Sequence, residues 1–166
     1  MDDLYREILV KRSSTGKDKA LKYLVIAVTA LVIAAGILFF PPLILGGIVL
    51  GILDYYFVLP NFDLEYEYLY VNGDIDIDKI MAKTRRKRVA SYSKDKLEIM
   101  APEGSAQLAS YLKEGKPKDY TSLDPGQKAW ILVFGTERGA DMVRLELPDD
   151  LAKDMRRYAP RKVFFE

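Results

Sequence analysis

Two apolar runs, residues 23–40 and 43–59, joined by Pro41-Pro42, leave this chain few ways to fold. The first has 18 residues without a formal charge; the second has 17, and Asp54 is its only charge. At ~1.5 Å of rise per residue, the first run crosses most of a ~30 Å hydrocarbon core, and the second sits at the short end of the spanning range, roughly 17–25 residues. A signal peptide has a shorter apolar core, roughly 7–15 residues, with a cleavage site after it rather than a second apolar run. A buried pair of soluble helices would carry a polar stripe, and neither run has one. The pattern predicts a helical membrane hairpin over residues 21–60.

Orientation follows from charge. Arg6, Lys11, Arg12, Lys17, Lys19 and Lys22 precede the first apolar run, and the Pro-Pro connection has no basic residue. The positive-inside bias then places the N-terminus in the cytoplasm and the turn outside, and two spans return the chain to the cytoplasm. Tyr23 and Tyr55-Tyr56 mark the inner interface, Phe39-Phe40 the outer one. The expected location is the inner (plasma) membrane, multi-pass, with both termini cytoplasmic. The expected divisions are a cytoplasmic N-terminal segment over 1–20, the hairpin over 21–60, and a cytoplasmic α+β domain over 61–166.

Inside the hairpin, Gly47 and Gly51 form one small-xxx-small pair, and Ala30 and Ala34 another. Such spacing lets helix backbones approach where lipid gives no hydrophobic drive for association. Packing of the two helices on each other is favoured over a homo-oligomer or a partner helix, because the helices of a tight hairpin must pack anyway. Asp54 lies about 7–8 Å from the run's end along a helix, beside the Tyr belt, and reads as an interfacial, hydrated carboxylate.

Composition bounds the remainder. With neither Cys nor His, the chain lacks thiol nucleophiles, thiolate metal sites, and the commonest general base and zinc ligand. Residues 61–166 carry 19 Lys/Arg against 19 Asp/Glu, which argues against a nucleic-acid partner. No Gly-rich phosphate loop, nucleophile elbow or paired catalytic carboxylates are present, so neither an enzyme nor a cofactor is expected. Asp74-x-Asp76-x-Asp78 begins like a calcium loop, but Lys79 and Arg85 occupy the positions that need Gly and a bidentate Glu.

Leu4, Tyr5, Ile8 and Leu9 predict a short amphipathic helix, lying on the inner surface or docked on the domain, that Ser13-Ser14-Thr15-Gly16 ends. Residues 62–71 alternate as a strand, Asn72-Gly73 predicts a type I′ turn, and 75–81 return. With Val71 set opposite Asp74, Leu64, Tyr68, Tyr70, Ile75, Ile77 and Met81 share a core face. Glu65, Glu67, Asp74, Asp76 and Asp78 share the other. Lys83 and the run Arg85-Arg86-Lys87-Arg88 come next, with 85–92 a third strand. This run has two readings that can coexist. It can neutralise the acidic ladder, which the zero net charge of the region favours. It can also bind anionic lipid through Lys83, Arg85, Arg86, Lys87 and Arg88, each worth about 1 kcal/mol near the leaflet.

Farther on, 96–100 reads as a strand ending at Pro102, and 105–114 as a helix with Leu108, Tyr111 and Leu112 inward. Residues 116–128 read as a loop and 129–134 as a central strand. A turn at 136–140 leads to 142–147, with Val143, Leu145 and Leu147 on one face. A helix from Pro148 to Tyr158 should cap the sheet through Leu151, Met155 and Tyr158, its terminal acids and bases matching the helix dipole.

Residues 65–73, the basic 85–89 strand and the final 130–158 strand-strand-helix unit together resemble bacterial pleckstrin-homology-like (PH-like) domains that follow two membrane helices. The layout is also similar to that of small uncharacterised two-span bacterial membrane proteins. The resemblance implies a two-helix hairpin plus a mostly antiparallel α+β domain with a C-terminal capping helix. It implies a membrane-tethered binding or scaffolding module, presented to a protein partner or anionic lipid. An accessory subunit acting through its hairpin is the alternative; a membrane-anchored enzyme would need a catalytic set that the sequence lacks.

Overall fold

The computed structural model describes residues 4–137 and 139–166. Arg138, in the turn predicted at 136–140, and residues 1–3 lie outside the described residues. Two compact units are present. The segments ending at Arg12, Glu65–Lys79 and Arg86–Glu166 form one; Ser13–Leu64 and Ile80–Arg85 form the other.

The first unit opens with strand β1, Tyr5–Lys11, where the apolar spacing predicts a helix. It lies antiparallel on β2, Leu64–Val71, from Tyr5↔Val71 to Lys11↔Glu65. This register sets Ile8 beside Tyr68 and Val10 beside Tyr66, so Ile8 and Val10 reach the core while Leu9 between them stays exposed. The cross-strand partner, absent from the local sequence, decides between a four-residue and a two-residue period.

β3, Asp74–Met81, and β4, Arg85–Tyr92, complete a four-stranded sheet in the order β1-β2-β3-β4. Asn72 and Gly73 turn β2 into β3 at φ 50° and 98°, the positive φ that a type I′ turn needs. Tyr68, Tyr70, Ile75 and Ile77 are fully buried; Leu64 and Met81, predicted beside them, are half-buried. Tyr68 Oη donates to Tyr120 O at 2.6 Å, and Tyr70 Oη to Asp154 Oδ2 at 2.6 Å, so neither buried phenol is left unpaired. Burial first, then the neighbouring Asp154 carboxylate, push the Tyr70 phenol well above its usual range.

The second sheet has the order β5-β7-β8-β6: β5, Leu97–Pro102; β6, the two residues Lys118–Asp119 within the predicted loop; β7, Trp130–Thr136; and β8, Gly139–Leu145. β7 is buried on both faces, which explains its unbroken apolar run. Trp130, Leu132 and Phe134 join the core shared with the first sheet, and Ile131 and Val133 face Leu108. A 3₁₀ turn, Ala106–Leu108, leads into helix α3, Ala109–Glu114. Leu112, predicted to point inward, is exposed, because only Leu108 and Tyr111 of this short segment reach the sheet. The last helix, Asp149–Tyr158, closes the shared core through Leu151, Ala152 and Met155, while Tyr158 stays 41% exposed.

In the second unit, helix α1 spans Gly16–Leu38 and α2 spans Pro42–Leu53, which continues through a π-turn, Asp54–Val58, and a 3₁₀ turn, Leu59–Phe62. Thr15 and Asp18 form a reciprocal capping box at the start of α1, in the predicted break. By length and composition, Gly16–Leu38 and Pro42–Phe62 can each cross a membrane. Only 6% of each apolar window is buried within the protein, unlike the core helix of a soluble domain. By connectivity, the hairpin is an insertion between β1 and β2. With the closing helix labelled α4, the order is β1-α1-α2-β2-β3-β4-β5-α3-β6-β7-β8-α4.

Candidate functional site

The basic run divides by residue. Arg86 Nη2 lies 2.8 and 2.7 Å from the two carboxylate oxygens of Glu67. Arg88 reaches Asp76 at 2.8 Å and Asp78 at 3.1 Å. Glu67 and Asp78 are buried, so these cations cover acids that would otherwise be nearly dry and unpaired. Asp74 leaves the ladder: its Oδ1 accepts from Ser93 Oγ and Lys94 N at the far corner of the strand. Lys83, Arg85 and Lys87 have no ion-pair partner among the described residues.

Lys83 sits in a strained turn, and Arg85 starts β4 directly after it. Ala82 and Lys83 sit at φ 47° and 57°, and Thr84 N donates to Met81 O at 3.2 Å. Two consecutive left-handed residues, neither Gly nor Asn, cost about 1–2 kcal/mol each and persist only where the surroundings hold them. The hold is visible: Ala82 N donates to Asp63 O at 2.9 Å, and Arg85 Nη1 donates to Tyr56 O at 2.7 Å. The π-turn supplies that last acceptor, and the guanidinium carbon lies 5.8 Å from the Phe57 ring centroid. A cavity of about 320 Å³ opens between Tyr55, Tyr56, Leu59 and Pro60 on one side and Ala82, Thr84 and Arg85 on the other. Tyr55, Tyr56 and Phe57 are exposed. Cations on long stems beside amphipathic rings are the chemistry of a headgroup layer, apolar below and charged above.

Of the four small residues predicted to pack the hairpin, Gly47 and Gly51 lie against Ile33 and Thr29 of α1, whereas Ala30 and Ala34 are exposed, off the seam. Gly36, which the four-residue spacing missed, takes their place. A Cβ there would come 2.7 Å from the backbone N of Ile44. Asp54 is half-buried and accepts from Thr29 Oγ1 at 2.5 Å, an interhelical bond that the sequence does not suggest. Gly36→Val should therefore destabilise the hairpin in detergent by about 1–3 kcal/mol, since backbone cannot yield as a side chain does. Ala34→Val should leave the melting temperature unchanged, and equal effects would mean the seam is wrongly placed.

Two stacked, mostly antiparallel sheets closed by a C-terminal helix, with an apolar helical pair set into the first connection, define a PH-like domain fitting a two-span membrane protein. A family model described as bacterial PH-like domain (DUF6106) matches residues 2–165, and the chain belongs to that family. No curated protein and no solved structure matches it. PH-like domains are in general binding modules without catalytic activity.

Proposed function

We propose that this chain is a non-enzymatic, membrane-tethered binding and scaffolding module, holding a protein partner or anionic lipid at the inner face of the membrane. The observation that supports it most is the β1–β2 ladder. The chain leaves the sheet after Lys11 and returns at Glu65, its direct partner. A folded sheet cannot straddle a bilayer, so a spanning hairpin must start and finish on the side of the domain. Six basic residues before the apolar run that starts at Tyr23, and none in the hairpin turn, favour the cytoplasm for that side.

In this reading Lys83 and Arg85 face the headgroups with Tyr55 and Tyr56, and Lys87 adds charge, while Arg86 and Arg88 serve the acidic face. The full chain, placed in nanodiscs of mixed zwitterionic and anionic lipid, should retain anionic lipid when released for native mass spectrometry. Lys83→Gln with Arg85→Gln should weaken that retention roughly 30-fold, at about 1 kcal/mol per charge. Unchanged retention in the double variant would remove the lipid-facing role from this turn.

A further inference from the structure

A second concentration of positive charge lies in the C-terminal segment, on residues the headgroup reading does not use. Lys153, Arg156, Arg157, Arg161 and Lys162 have only Asp154 among them as a carboxylate. Asp154 is buried on Tyr70, and Arg157 approaches it no closer than 3.6 Å. Arg156 and Arg157 answer the negative end of the α4 dipole. That explanation does not extend to Arg161 and Lys162, which lie beyond Pro160, or to Lys94, which comes from the turn after β4.

These last three cations line one cleft of about 480 Å³, with Tyr158 as an aromatic wall and Asp95 as the sole carboxylate. Lys94 Nζ sits 4.2 Å from the Tyr158 ring centroid and donates to Asn72 O at 2.8 Å. Lys162 Nζ donates to Leu97 O at 2.6 Å. Neutral carbonyls thus hold both ammonium groups in place without cancelling their charge, and each keeps further donors. Arg161 has no ion-pair partner among the described residues. The contrast with Arg86 and Arg88, each seated on carboxylates, is chemical: those cations are consumed within the fold, and these are not.

We propose that this cleft is a binding site for a phosphate-bearing anion. Arg161 offers a planar fork matched to phosphate oxygens, and Lys94 and Lys162 offer fixed ammonium charges. Tyr158 provides a wall for the organic group that carries the phosphate. The volume falls in the range of small-molecule sites, about 300–1,000 Å³. The site is independent of the headgroup reading of Lys83 and Arg85.

The test uses the full chain in nanodiscs of zwitterionic lipid, titrated with pyrophosphate by calorimetry at fixed ionic strength. Saturable one-to-one binding is expected. Arg161→Gln should weaken it about tenfold with the melting temperature unchanged, and adding Lys94→Gln should abolish it. Lys113→Gln with Lys116→Gln removes the same charge from α3 and the loop after it, and should leave the affinity intact. Displacement by a soluble short-chain phosphatidylglycerol would identify a lipid headgroup as the source of the phosphate; resistance to it would identify a free phosphorylated compound. Non-saturable binding, or equal weakening by the Lys113 and Lys116 changes, would overturn the site.

Discussion

A chain cut to residues 61–166 is expected not to fold, whereas one in which residues 13–63 are replaced by a short Gly- and Asn-containing linker is expected to fold. The difference is β1. The cut removes a seven-residue strand from the edge of the first sheet and bares the backbone of β2. It also strips Val10, 7% exposed, and the partly buried Leu4 and Ile8 from the core over Tyr66 and Tyr68. Burial of a large aliphatic side chain contributes about 1.5–3 kcal/mol when complete, so these losses sum to several kcal/mol. A domain of this size has about 5–15 kcal/mol in total. Arg12 adds a tie, donating to Asp119 O at 3.0 Å and Tyr66 Oη at 3.2 Å. The linked chain keeps all of this, because Lys11 and Glu65 are direct partners and a tight turn can join them. Near-ultraviolet circular dichroism and amide dispersion would read the outcome. Equal melting of the two chains would show that β1 is an appendage.

Replacing Arg86 and Arg88 together by Gln is expected to lower the melting temperature by about 5–10 °C and to leave anionic-lipid retention where it was. Side chains of Glu67 and Asp78 are only 11% and 7% exposed, so loss of their cations leaves two nearly buried carboxylates without charge partners. Both arginine side chains are 54% exposed, and solvent screening keeps the effect below that of a fully buried pair. Lost lipid with an intact melting temperature would reverse the assignment and make the whole run a membrane patch.

Much of this fold is written locally. The hairpin is legible because two long apolar runs with a single charge between them lack a polar stripe, and β2–β3 because alternation and Asn72-Gly73 agree. The last helix is legible because its buried stripe and its terminal charges point the same way. β1 is not, because Leu4, Tyr5, Ile8 and Leu9 fit a helical period, while the partner that makes them a strand lies beyond the whole hairpin. The basic run carries a different ambiguity. Arginine reaches either face of a strand, and only the placement of Glu67, Asp76 and Asp78 shows which cations the fold itself consumes. Small-residue spacing marks close approach without saying which face meets the neighbour, which is why Gly36 was silent and Ala30 and Ala34 spoke too loudly. Arg156 and Arg157 read as dipole partners of the last helix, but the grouping of Arg161 and Lys162 with Lys94, far away in sequence, shows only in the fold.

The central claim, a PH-like domain held at the inner face by a hairpin set between its first two strands, is tested most directly by cysteine accessibility. The chain has no cysteine, so each introduced thiol reports alone. Single variants Phe40→Cys, in the hairpin turn, Glu7→Cys, on β1, and Lys113→Cys, on α3, would be treated in intact cells with a membrane-impermeant maleimide. Labelling of Phe40→Cys from outside, with Glu7→Cys and Lys113→Cys reacting only after the membrane is opened, is the predicted result. Outside labelling of either domain position, or different accessibility of the two, would contradict it.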